Sequence, residues 1–159
     1  MTVPHGLAEI RATFGTVPVG HSLAVQQWAA EHLAMVALPY PLRNAYVPAL
    51  DRTIRRLYCH RKIGSILQAA FAMIQAKGLE TEALEYGGCW NVRPIRGRPD
   101  RLSTHAWGIA IDLNPRSNAL GTPGRMHPEV VEILETLGFR WGGRFTRKDP
   151  MHFQFCTGY

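Results

Sequence analysis

Two short alternating segments constrain this chain more than anything else in it. In Trp107-Gly108-Ile109-Ala110-Ile111-Asp112-Leu113, large apolar residues alternate with small or polar ones, the period-two signature of a strand with one face in the core. Asp112 then points away from the apolar face. Met151, Phe153 and Phe155 share one face of the second segment, while His152 and Gln154 share the other. Strict alternation would put His105 on the opposite side from Asp112. If the two act together, the chain must turn or bulge between them, and Gly108 is the residue best suited to allow it. Pro150 biases Asp149 away from helix, which places Asp149 and His152 on a turn entering a strand.

Taken together, His105, Asp112 and His152 offer two imidazoles and a carboxylate, and Asp149 adds a second carboxylate three residues before the last histidine. That is the inventory of a catalytic zinc site: three protein ligands, a fourth position open, and a separate acid/base beside it. Gln154, next to His152 on the polar face, is a candidate to orient that ligand.

Ser103-x-His105-x-x-Gly108-x-Ala110-x-Asp112, a late Met151-His152-Phe153, and Trp141-Gly142-Gly143 just upstream resemble the M15 family of zinc peptidases over roughly residues 87–155. That family includes D-alanyl-D-alanine carboxypeptidases and dipeptidases, and the L-alanyl-D-glutamate endopeptidases of bacteriophage endolysins. The resemblance implies that His105, Asp112 and His152 hold Zn2+ and that Asp149 is the catalytic carboxylate, a position filled by Glu in many carboxypeptidases and by Asp in several endolysins. It also implies a substrate arginine upstream of the first motif. Arg93 is the choice, with Arg96 as its neighbour and competitor, and Ser103 either orients a ligand, touches substrate or simply bonds the backbone of its own turn.

With 159 residues the chain is long enough to bury one core, and it reads as a single domain over 1–159, helical over about 1–80 and sheet-forming around the metal site over about 81–159. A helix is expected from about Leu23 to Met35, capped by Ser22 and broken at Pro39-Tyr40-Pro41. A clearer one runs from Lys62 to Lys77, with Ile63, Ile66, Leu67, Ala70, Phe71 and Ile74 at helical spacing and Gly78 as its stop. A third starts at Pro128 and ends at Gly138. Asn114 through Gly124 is rich in turn formers and could wall a groove. The expected fold is α+β, with helices packed on one side of a small antiparallel sheet, of the kind the M15 resemblance shares with the Hedgehog signalling fold.

Three cysteines, Cys59, Cys89 and Cys156, without CxxC spacing argue for buried free thiols. The net charge of +6 favours an anionic partner. The densest basic run, 51–62, reads as a solvated helix face, with a nucleic-acid patch as the competing reading, and Arg93, Arg96, Arg98 and Arg101 form a second cluster leading into the metal motif. His5, His21, His32, His60 and His127 are expected at the surface or at helix caps. No apolar run approaches a membrane span, and the N-terminus lacks the basic and apolar regions of a signal peptide, so an enzyme aimed at the wall would reach it from the cytoplasm by release.

These readings converge on a monomeric zinc peptidase acting on peptidoglycan stem peptides at the anionic cell envelope, first as an L-alanyl-D-glutamate endopeptidase and second as a D-alanyl-D-alanine carboxypeptidase. An inactive zinc-bearing binding domain and a basic nucleic-acid-binding protein are the alternatives from other classes. Intact Asp149 counts against the former, and the strand-borne ligand set counts against the latter and against any specific nucleic-acid partner.

Overall fold

A computed structural model describes residues 1–20, 23–46 and 53–159. In chain order it contains α1 (Gly6–Phe14), α2 (Leu23–His32), β1 (Leu33–Asn44), β2 (Thr53–His60), α3 (Gly64–Ala76), β3 (Glu85–Gly88), β4 (Pro94–Ile95), β5 (Arg98–Leu102), β6 (Ala110–Leu113), α4 (Pro128–Thr136), β7 (Arg140–Trp141) and β8 (His152–Gln154). Six strands form one sheet in the order β2-β1-β3-β6-β8-β7, and β4 and β5 make a separate hairpin. The fold is α+β, as the sequence predicts. The main sheet is larger than expected and mixed, because β1 and β3 run parallel while the other pairings are antiparallel.

Helices α3 and α4 follow from their periodicity. In α3, Leu67, Ala70, Phe71 and Ile74 are buried together with Ile63 just before it, and Gly78 takes φ 69° so that the chain can leave the helix. In α4, Pro128 stands in the first turn, the His127 side chain accepts from the Glu129 N–H as the cap, and Gly138 takes φ 97° at the exit.

The N-terminal half departs from expectation. Residues 1–80 are not a helical part throughout, because β1 and β2 occupy 33–44 and 53–60. The helix expected to reach Met35 ends at His32, and the chain continues directly as strand, with Val36, Tyr40 and Leu42 buried between exposed neighbours. Pro39 and Pro41 do not break it. They fall where the β1–β2 register slips between Ala37 and Leu42, so the ladder needs no N–H from either. The basic run is likewise no α-helix face: residues 53–60 of it form the edge strand β2, with Arg55 and Arg56 exposed and Leu57, Cys59 and His60 buried, and Arg61 and Lys62 open a 3-10 turn. His60 is therefore not at the surface, although its Nδ1 does cap the turn that follows by accepting from Lys62 N–H at 3.2 Å. Ser22, the expected cap of α2, His21, and Asp51 and Arg52 of the basic run lie outside the described residues.

One apolar cluster joins both halves of the chain, from Ile10 and Phe14 through Leu57 and Phe71 to Trp107, Ile111, Phe153 and Phe155. All three cysteines are buried and free, as expected. Strand β6 lies between β3 and β8, with Asp112 opposite Gly88 on one side and opposite His152 on the other. That register sets the site.

Candidate metal centre

The turn between His105 and Asp112 that strand parity demands is present. Ser103 Oγ accepts from the His105 N–H at 3.4 Å and caps a 3-10 turn, Thr104–Trp107, which ends at Gly108 with φ 65°. A Cβ at Gly108 would lie 3.0 Å from the His60 nitrogen and from Leu33 Cδ2, so both its conformation and its space favour glycine. From this turn His105 reaches back over β6 toward Asp112, while His152 reaches the same point from β8.

The three side chains meet at a small triangle. His105 Nε2 is 3.1 Å from Asp112 Oδ1 and 3.1 Å from His152 Nδ1, and His152 Nδ1 is 3.0 Å from Asp112 Oδ1. Both histidines are buried, and the Asp112 side chain is 13% exposed. The far side of each ring decides what the triangle holds. His105 Nδ1 donates to the Cys89 carbonyl at 2.8 Å, which leaves the lone pair on Nε2. His152 Nε2 donates to Gln154 Oε1 at 3.1 Å, with Thr104 Oγ1 at 3.2 Å, which leaves the lone pair on Nδ1. The Gln154 amide cannot turn round, because its nitrogen donates to Tyr159 O at 3.3 Å.

Three electron-pair donors thus face one another with no proton of their own between them, an arrangement that a cation satisfies. Their spacing is close to the roughly 3.3 Å that separates ligand atoms around a tetrahedral ion with bonds of about 2.0–2.1 Å. His105, Asp112 and His152 are also the group of His, Cys, Asp and Glu residues able to hold a metal ion among the described residues. Without a cation a proton has to take its place in the triangle: burial alone would raise the Asp112 carboxyl, but the charge and hydrogen bonds it then receives from His105 and His152 outweigh burial and hold it well below the ordinary carboxylate range. For His152, burial works to lower the imidazole, and the Asp112 hydrogen bond and charge more than reverse it.

Asp149 lies on the turn into β8 that Pro150 predicts: its carbonyl accepts from His152 N–H at 3.0 Å, and its own N–H donates to Gly142 O at 3.0 Å. Its Oδ1 is shielded from solvent and has no hydrogen-bond partner, a state shared among the described side chains only with Trp28 Nε1. Burial raises the Asp149 carboxyl above its usual range, with His152 opposing and Asp112 reinforcing the shift. Arg93 also acts on this carboxylate, and the Arg93 carbonyl is tied to Ser103 N–H at 2.9 Å, directly before the His105 turn. Arg96 is exposed at the tip of the β4–β5 hairpin, where its carbonyl accepts from Arg147. Ser103 is buried and occupied as the cap of its turn.

Two contributors went unread in the sequence. Thr104 sits inside the motif, where a hydroxyl beside a ligand histidine is a signal, and its Oγ1 also donates to Gln154 Oε1 at 3.3 Å. Cys89 acts through its carbonyl, which no side-chain pattern discloses.

No curated protein and no solved structure matches the chain. Residues 96–155 match the family model described as D-alanyl-D-alanine carboxypeptidase. That span contains His105, Asp112, Asp149 and His152, so the segment that builds the cluster is the part of the chain similar to that family.

Proposed function

We propose that this protein is a zinc-dependent peptidase that cleaves a stem-peptide bond of peptidoglycan, acting as an L-alanyl-D-glutamate endopeptidase. The observation that carries the reading is the triangle of three inward lone pairs beside a buried carboxylate oxygen with no partner. Residues 1–159 serve as one domain, since the main sheet takes strands from both halves.

His105, Asp112 and His152 would hold the ion. When bound, zinc supplies Lewis acidity that polarises a carbonyl and acidifies water to near neutrality. Cys89 O, Gln154 and Thr104 keep the two imidazoles aimed inward, so that neither ring has to turn during the reaction. Asp149 Oδ1 takes the proton of the attacking water and passes it to the departing amine. A carboxyl raised by burial holds a proton more readily than an exposed one, which suits a group that must both accept and give it up. The Arg93 guanidinium, which donates to Pro94 O at 3.3 Å and acts on Asp149 through its charge, would serve a substrate carboxylate or the developing oxyanion.

Aspartate rather than glutamate at 149 and the net charge of +6 favour the endopeptidase at an anionic envelope. The description of the matching family favours a second reading, D-alanyl-D-alanine carboxypeptidase, in which Arg93 holds the C-terminal carboxylate. Mass spectrometry of products from purified peptidoglycan separates the two. The endopeptidase exposes a new D-glutamate amino terminus, and the carboxypeptidase releases free D-alanine. Zinc-replete protein that yields neither product overturns both readings.

A further inference from the structure

The end of β1 stands beside the metal centre. β1 runs parallel to β3 with Arg43 opposite Glu85 and Asn44 opposite Tyr86, and the Ala45 N–H donates to Tyr86 O at 3.0 Å, which continues the register one residue further. β3 pairs in turn with β6, Gly88 opposite Asp112. Only Gly87 and Gly88 therefore lie between the chain leaving β1 and Asp112. A Cβ at Gly87 would come within 2.9 Å of Asp112 Cβ, whereas nothing stands within 4 Å of one at Gly88. Gly87 is thus covered by Asp112 and Pro115, while Gly88, opposite Asp112, presents open backbone at the edge of the site.

Tyr46 is the next residue along this register. Asn44 Oδ1 accepts from the Tyr46 N–H at 2.9 Å and bends the chain, and Arg116 donates to Ala45 O at 2.9 Å while pairing with Glu85 at 3.2 Å. The bend is thus fastened from both sides, yet Tyr46 remains 66% exposed and belongs to no core cluster. Its phenol is raised by partial burial first and then by Asp112 and Asp149, while Arg96 and Arg93 pull it down, so it stands within electrostatic reach of both aspartates and both arginines. An exposed aromatic ring with a polar tip, on a fastened bend one strand away from the open backbone of Gly88, has the amphipathic form used to grip peptides.

We propose that Tyr46 is a substrate-binding residue whose ring covers a peptide passing the open backbone at Gly88 and whose hydroxyl hydrogen-bonds a peptide group of that substrate. The assignment rests on the peptidase reading above.

The test uses a soluble stem-peptide fragment with zinc-replete parent, Tyr46→Phe and Tyr46→Ala. Tyr46→Ala should raise KM roughly tenfold, from loss of one aromatic contact and one hydrogen bond, with kcat within about twofold of the parent. Tyr46→Phe should recover part of that loss, because it restores the ring alone. Zinc content and Tm should not move in either variant, since the side chain supports no core. A parental KM in Tyr46→Ala, or a loss confined to kcat, overturns the assignment. Calorimetric binding of the same fragment to zinc-loaded Asp149→Asn, with and without Tyr46→Ala, keeps the two claims apart. Fragment bound about tenfold more weakly with Tyr46→Ala supports Tyr46 even if the parent cleaves nothing, and equal affinity rejects Tyr46 even if the parent cleaves well.

Discussion

Gln154 Oε1 accepts the Nε2 proton of His152 from two residues further along the same strand, at 3.1 Å. The contact is possible because Gln154 and His152 share a face of β8, and it turns the ring so that Nδ1 meets Asp112 at 3.0 Å. Gln154→Leu keeps the bulk and removes the acceptor. Zinc affinity should fall by roughly 10–100-fold, as it does when outer partners of ligand histidines are lost. Competition against a chelator of known affinity measures this, and an unchanged constant would show that Thr104 alone orients the ring.

Gly142 is needed for its lack of a side chain. A Cβ there would lie 2.3 Å from the Asp149 carbonyl oxygen and 3.1 Å from that of His152, so the backbone of the turn carrying the carboxylate packs directly on it. Gly142→Ala should push the 149–152 turn outward, destabilise the protein by about 1–3 kcal/mol and reduce peptide cleavage. Thermal melts with activity assays check it, and parental values in both would mean the turn has room to yield.

His60 makes a prediction that does not depend on a metal. Its ring lies among Phe14, His32 and Trp28, with centroids 4.8, 5.9 and 6.3 Å away. Burial holds it down at about 4, against the Phe14 carbonyl and with help from His32, Lys62 and Arg61. The unfolded chain takes up this proton near pH 6.5, and the fold does so only near pH 4. Stability should therefore be lost as pH falls across that interval, by an amount on the order of 2–3 kcal/mol. Melts of chelator-treated parent and His60→Gln from pH 7 to 4 test the claim. The variant should start lower and fall less steeply, and parallel curves would assign the loss to another group.

How much of this was legible follows from where each signal sits. The turn at Gly108 could be read because parity along a strand is rigid: His105 and Asp112 cannot meet unless the chain changes face between them. Helices α3 and α4 announced themselves through apolar spacing and a terminal glycine. β1 and β2 did not. Pro39 and Pro41 suggest a break unless the partner strand, and the slip in register that accommodates them, is known. The Cys89 carbonyl and the open backbone at Gly88 belong to the backbone and to strand pairing, which residue types alone do not encode.

Asp112 and Asp149 are both aspartates beside one centre and should fail differently. Asp112 Oδ1 belongs to the triangle with both histidines, whereas Asp149 Oδ1 touches no partner. Asp112→Asn should lose zinc first and activity as a consequence. Asp149→Asn keeps the size of the side chain and removes the proton acceptor, so zinc should stay near one per chain while turnover drops by roughly 10²–10⁴-fold. The acid side of the parent's pH profile should lie above the ordinary carboxylate range, because Asp149 works as a base only when ionised and burial raises it. Other carboxylates nearby in sequence are poor substitutes: Glu129 pairs with Lys77, and Glu135 takes a two-pronged contact from Arg144 at 2.8 and 2.9 Å. Zinc stoichiometry and peptidoglycan cleavage measured side by side decide the matter. Parental cleavage by Asp149→Asn would remove the central step of the mechanism, and zinc retained at full affinity by Asp112→Asn would remove the carboxylate from the ligand set.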